Sequence, residues 1–220
     1  MKKVLSTMTV LAAAAGVMAG FAGAAHAQDA KAGEKKVSLC IGCHNIPGYQ
    51  SSFPEVHKVP KIAGQSAPYI VAALNAYKKG ERKHPTMRGI AESLTDQDMA
   101  DIAAWYEQLA QSQPAPDKPS KQPSAQVAQL LQKGACVSCH GENFNKAIDP
   151  SYPKLAGQYS DYLFVALKSY KTESNRYIGR SNAIMAAQVK QFSNAELKLI
   201  ADYIGSLQGE MKTVGQDNFR

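Results

Sequence analysis

Apolar residues recur along this chain with the period of a helix, and no segment shows the alternation of a strand. The stretch from Tyr69 to Lys78, YIVAALNAYK, and the stretch from Tyr162 to Lys171, YLFVALKSYK, both read as short amphipathic helices. Downstream, Thr95-Asp96-Gln97-Asp98 and Ser193-Asn194-Ala195-Glu196 each set a hydroxyl three residues ahead of a carboxylate, the pattern of a capped helix start. The helices that follow carry one apolar stripe apiece: Met99, Ile102, Ala103, Tyr106 and Leu109 in the first, Leu197, Ile200, Ala201, Ile204 and Leu207 in the second. Residues 29–39 and 125–135 are helix-compatible as well. The pattern predicts an all-α protein.

These elements come in pairs, so the chain holds two versions of one domain. Pro60-Lys61-Ile62-Ala63-Gly64-Gln65 returns as Pro153-Lys154-Leu155-Ala156-Gly157-Gln158. Between the copies, Pro114, Pro116, Pro119 and Pro123 stand among polar residues that cannot continue a helix, which predicts an extended tether. The expected organisation is a segment 1–27, a domain 28–111, a linker 112–124 and a domain 125–220. Each half, at roughly 80 to 100 residues, is small for a self-sufficient core, so another source of buried apolar surface is expected.

The first residues read as an export signal. Lys2 and Lys3 precede an apolar stretch from Val4 to about Ala25, and Ala25-His26-Ala27 offers a cleavage site after Ala27. An uncleaved membrane anchor is the alternative, since the stretch is nearly long enough to span a bilayer. No later apolar run reaches that length. Export places the protein in an oxidising compartment, the bacterial periplasm or its equivalent.

All 4 cysteines fall in two pentapeptides, Cys40-Ile41-Gly42-Cys43-His44 and Cys136-Val137-Ser138-Cys139-His140. Two thiols at this spacing can each form a thioether to one vinyl group of a porphyrin, with the adjoining histidine ligating its iron. Two covalent haem c groups are expected. A redox dithiol gives no reason for a histidine after both second cysteines, and structural zinc would place paired histidines downstream. A covalently held porphyrin would also supply the buried surface that each small half lacks, so folding is expected to depend on it.

His44 and His140 fill one axial position per iron, and the opposite ligand must come from far along the chain. Met87 lies 47 residues after Cys40 and Met185 lies 49 after Cys136, each eight residues before a capping hydroxyl. The duplication singles these two out, and a thioether suits a carrier at the oxidising end of a chain. The second half has no histidine besides His140. In the first half His84 and His57 remain alternatives to Met87, and are otherwise exposed loop histidines. Met99, matching Leu197, reads as core, and Met211, in a polar tail, as a bystander. The carbonyls of Pro60 and Pro153 are candidates to accept from Nδ1 of His44 and His140, or simply mark turns. Tyr77, Tyr170, Arg82 and Arg176 are candidates to reach haem propionates, the arginines being otherwise solvated. Trp105, matched by Tyr203, reads as helix packing.

The formal net charge of +7 falls to +5 on loss of Lys2 and Lys3. Basic surface steers toward an acidic patch on a redox partner or toward anionic lipid, and no nucleic-acid motif accompanies it.

With tandem C-x-x-C-H motifs, P-K-[IL]-A-G-Q after each, and a methionine before each capped last helix, the chain resembles the cytochrome c4 family over essentially all of its length after residue 27. The resemblance implies two class I cytochrome c domains related by an approximate twofold axis. It implies haem thioethers at Cys40, Cys43, Cys136 and Cys139, and axial pairs His44–Met87 and His140–Met185. It further implies a periplasmic carrier associated with the outer face of the inner membrane, passing single electrons from an upstream respiratory donor to a haem-copper terminal oxidase. Transfer would be outer-sphere, with no small-molecule substrate. The loop Asn45–Val59 departs from its counterpart by being three residues longer. The rival class is a di-haem enzyme of peroxidase or thiosulfate-oxidising type, which needs an open iron or a cysteine ligand, and no cysteine is spare. An electron-donating subunit of a membrane redox complex would share the chemistry and differ in partner.

Overall fold

The computed structural model describes residues 28–109 and 114–215, so the expected export signal over 1–27 and the start of the expected tether lie outside the described residues. In the first half, α1 (Ala30–Glu34), α2 (Ser38–His44), α3 (Ala67–Lys78), α4 (Pro85–Glu92) and α5 (Asp96–Gln108) surround a core of Val37, Ile70, Met99, Ile102 and Tyr106. In the second, α6 (Ala125–Lys133), α7 (Cys136–His140), α8 (Ser160–Ser169), α9 (Ala183–Lys190) and α10 (Asn194–Gly205) enclose Leu131, Phe144, Leu163, Leu197 and Ile200. The stripes expected of the last helix in each half are the ones buried, Leu109 only in part, with Met99 and Leu197 fully enclosed.

Both capping boxes form. Thr95 and Ser193 accept from the backbone N–H of Asp98 and Glu196, whose carboxylates in turn take the N–H groups of Thr95 and Ser193. The helix expected over 29–39 is instead two, because the chain turns at Lys35 to drive Val37 into the core before α2 starts. Residues 125–135 end likewise at Gly134, and Ala135 adopts a left-handed conformation with φ 45° ahead of α7.

Among the described residues, four strands of two residues each accompany the helices. β1 (Gln50–Ser51) pairs antiparallel with β2 (His57–Lys58) inside the long loop, and β3 (Arg82–Lys83) pairs with β4 (Gly179–Arg180), register Arg82↔Arg180, across the two halves. Runs this short show no alternation, which is why the sequence pattern misses them.

The halves are closely joined. Glu55 pairs with Lys168, and Asp161 takes both the backbone N–H (3.0 Å) and the ammonium (3.2 Å) of Lys58. The described part of the tether is non-helical but packed: Asn143 donates to the Pro116 carbonyl at 2.7 Å and Tyr203 to that of Lys121 at 2.9 Å. Met211 is no bystander, being 3% exposed. The tail folds back over the junction, with Lys212 N–H bonded to the Ala63 carbonyl at 2.9 Å, and carries the Met211 sulfur between Gln65 and Gln158.

Candidate haem sites

Each half has a cleft between its helices. One, of about 380 Å³, is lined by Cys40, Cys43, His44 and Met87; the other, of about 440 Å³, by Cys136, Cys139, His140 and Met185. The α2 turn brings the Cys40 and Cys43 sulfurs to one cleft wall, with His44 following, and α7 repeats the arrangement. Burial pushes the Cys40 and Cys136 thiols up to about 11, helped by the neighbouring cysteine in each motif. Such thiols are poor thiolates, unlike those of a reactive dithiol, which are lowered.

The histidines are fixed by backbone. His44 Nδ1 lies 2.8 Å from the Pro60 carbonyl and His140 Nδ1 lies 3.4 Å from that of Pro153. A carbonyl can only accept, so in each ring Nδ1 carries the proton and Nε2 keeps the lone pair. Burial lowers both imidazoles below the ordinary range despite the carbonyl's opposing pull, so they are neutral at physiological pH.

The methionines hold equivalent places, third in α4 and third in α9. Their backbone N–H groups are taken by the caps, Met87 by His84 Nδ1 at 3.4 Å and Met185 by Asn182 Oδ1 at 2.9 Å. His84 thus stands where the second half uses an amide cap. Its ring is held well below the usual range, at about 4, by burial and then by His57 and the arginine charges nearby.

Several sequence expectations fail here, His84 among them, since it caps α4 and lines the cleft instead of standing exposed in a loop. His57 is 6% exposed, edge-on to Tyr162 at 5.8 Å, because β1–β2 folds the long loop against the second half. Arg82 is not solvated but 8% exposed, its guanidinium 4.7 Å from the Tyr77 ring centre. Arg176, the other arginine expected as a candidate for a propionate, stays exposed over Tyr177, and the arginine beside Tyr170 is Arg180, at 5.4 Å. Sequence carried the signal, since Arg82 and Arg180 each stand five residues before a cleft methionine.

Arg82 and Arg180 border both clefts and donate to one phenol, Tyr162 Oη, at 2.7 and 3.2 Å. Burial would raise that phenol, but the two guanidiniums outweigh it and bring it down to about 8. No ion pair to a carboxylate is recorded for either arginine among the described residues, and Arg82 Nε is buried with no partner. Cationic side chains at an apolar cleft with a spare donor suit an anionic prosthetic group such as haem with its propionates.

The family profile described as Cytochrome c matches residues 30–110 and 124–208. The cytochrome c4 of Stutzerimonas stutzeri is 32% identical over 202 residues, covering 86% of this chain and 94% of that one. This chain belongs to the cytochrome c4 family. The solved structure of reduced recombinant cytochrome c4 from Pseudomonas stutzeri is similar at a TM-score of 0.63 and 26% identity, covering 83% of this chain and 100% of that one. A thiosulfate dehydrogenase electron acceptor of Stutzerimonas stutzeri strain A1501 is 29% identical over 185 residues, covering 79% of this chain and 81% of that one. As a cytochrome c4, the chain is a di-haem electron carrier of two cytochrome c domains, with haem c covalently attached in each.

Proposed function

We propose that Cys40 and Cys43 hold one haem by thioethers and Cys136 and Cys139 the other, with His44 and Met87, and His140 and Met185, as axial ligands. When bound, each haem supplies an iron that cycles between Fe(III) and Fe(II). His44, Met87, His140 and Met185 would hold the two irons, with the imidazoles neutral, and Arg82 and Arg180 would balance propionate charge. With no site left for substrate, transfer is outer-sphere and the protein is a carrier, not an enzyme. Its place is the periplasm, at the outer face of the inner membrane, between an upstream respiratory donor and a haem-copper terminal oxidase; the basic surface favours acidic partners and anionic lipid.

The observation that carries this reading is the repeated pairing, in one cleft, of a histidine fixed through Nδ1 and a methionine fixed by a helix cap. The test is exposure of the reduced holoprotein to carbon monoxide. Closed irons leave the Soret band unchanged, whereas stoichiometric binding at either haem overturns the closed-site reading.

A second reading is favoured by the similarity to a thiosulfate dehydrogenase electron acceptor. Here the same chemistry serves a periplasmic sulfur-oxidising enzyme as donor. Rapid reduction by such an enzyme with thiosulfate, together with slow reduction by a quinol-oxidising complex, would favour it.

A further inference from the structure

The repeated P-K-[IL]-A-G-Q segments meet each other across the domain junction. Lys61 N–H donates to Gln158 Oε1 at 3.0 Å and Gln158 Nε2 donates to the Lys61 carbonyl at 2.9 Å. The partner half mirrors this: Lys154 N–H reaches Gln65 Oε1 at 2.9 Å, and Gln65 Nε2 reaches the Lys154 carbonyl at 2.9 Å. The remaining amide hydrogens point to one sulfur, Met211 Sδ, at 3.3 Å from Gln65 and 3.6 Å from Gln158. Each Oε1 also accepts a local N–H, from Tyr159 at 3.0 Å and from Ser66 at 2.9 Å. Both glutamines are buried, and both side-chain polar atoms of each are engaged, which fixes the amide orientation.

The Lys61 N–H and the Pro60 carbonyl belong to the same peptide group. That group therefore accepts from His44 Nδ1 at 2.8 Å on one side and donates to Gln158 of the other domain on the other. The Pro153–Lys154 peptide does the same between His140, at 3.4 Å, and Gln65. An N–H that donates polarises its amide and makes the carbonyl a stronger acceptor. A stronger acceptor at Nδ1 makes the imidazole a stronger donor to its metal.

We propose that each haem's potential is set in part by a glutamine of the other domain, Gln158 acting on the His44 haem and Gln65 on the His140 haem. The proposal rests on the reading that these histidines ligate iron. Gln65 and Gln158 are positioning residues that act through a shared peptide, so the domain junction is also a tuning device.

Near-isosteric Gln158→Met and Gln65→Met variants of the holoprotein test it, with each haem followed in a redox titration through its own methyl resonances. Weakening this neutral N–H···O=C bond by about 10–30% predicts a change of up to roughly twofold in the reduction equilibrium. That is up to about 18 mV for one electron. Gln158→Met raises the His44 haem and leaves the His140 haem in place; Gln65→Met does the reverse, less strongly because its Nδ1 contact is longer. Either variant alone decides, so loss of folding in one leaves the other. Potentials that move together, or only in the variant's own domain, or not at all, overturn the proposal. So does an equal shift in Met211→Leu, which keeps both peptide bonds and loosens only the junction. Absence of hyperfine-shifted imidazole Nδ1–H signals in the unsubstituted protein would instead remove the ligation reading itself.

Discussion

Gly33→Ala probes the helix crossing behind the first haem cleft. A Cβ at Gly33 would stand 2.0 Å from the Asp101 carbonyl oxygen, 2.5 Å from its carbon and 3.0 Å from Ile102 N. All three are backbone atoms, so no rotamer change relieves the clash, and α1 must part from α5 by on the order of 1 Å to restore van der Waals contact. Separation also stretches the bond from Asp29 N–H to the Asp101 carboxylate, 3.0 Å, which caps α1 onto α5. Overpacking costs about 1–3 kcal/mol and a weakened charge-assisted bond about 1.5–3, against a helix-propensity gain of about 1 for alanine. The expected net loss is about 3 kcal/mol, a large part of the stability of an ordinary domain. The assay is guanidinium unfolding of the holoprotein, with Gly89→Ala in α4 as control, since a Cβ there meets nothing within 4 Å. Gly89→Ala should be neutral or stabilising by up to about 1 kcal/mol. If Gly33→Ala costs no more than about 0.5 kcal/mol, the crossing is not the close contact described and the reasoning fails.

Two further outcomes follow from charge. Asp98 is held at about 2, and Asp101 also low, first by hydrogen bonds from Lys36, so their folded-state values lie below the unfolded ones. Their stabilisation is present above about pH 4 and is lost as pH falls toward 2, so acid unfolding should begin in that window and Lys36→Met should flatten it; an unchanged acid limb in Lys36→Met would contradict the assignment. Arg82 borders both clefts, so Arg82→Met removes positive charge from beside both haems and favours both Fe(III) forms. Both midpoint potentials should fall in a redox titration, and a fall at one haem alone, or a rise, would refute the shared-wall arrangement.

Periodicity exposed the helices that repeat, because α3, α5, α8 and α10 each bury a regular stripe and two of them start at capping boxes. The cysteines, histidines and methionines stood out because their spacing repeats with the duplication, and each cleft gathers one set of those side chains. What sequence could not show depends on the meeting of the two halves. His57 and Arg82 are polar and lie in loop-like segments, yet both are buried once β1–β2 folds over α8 and β3 pairs with β4. Met211 looked idle in a polar tail because its partners, Gln65 and Gln158, lie far away in sequence on either side of the junction. The repeated P-K-[IL]-A-G-Q was visible as a repeat, but its role needs both copies in contact.

The central claim is that both irons are closed by a histidine and a methionine. The most direct measurement is the weak long-wavelength methionine-to-Fe(III) charge-transfer band of the oxidised holoprotein, quantified against total haem from a pyridine haemochrome assay. The account predicts intensity for two such bonds per chain. Intensity for one or none would contradict it, and would bring an open or differently ligated iron, with enzyme chemistry, to the front.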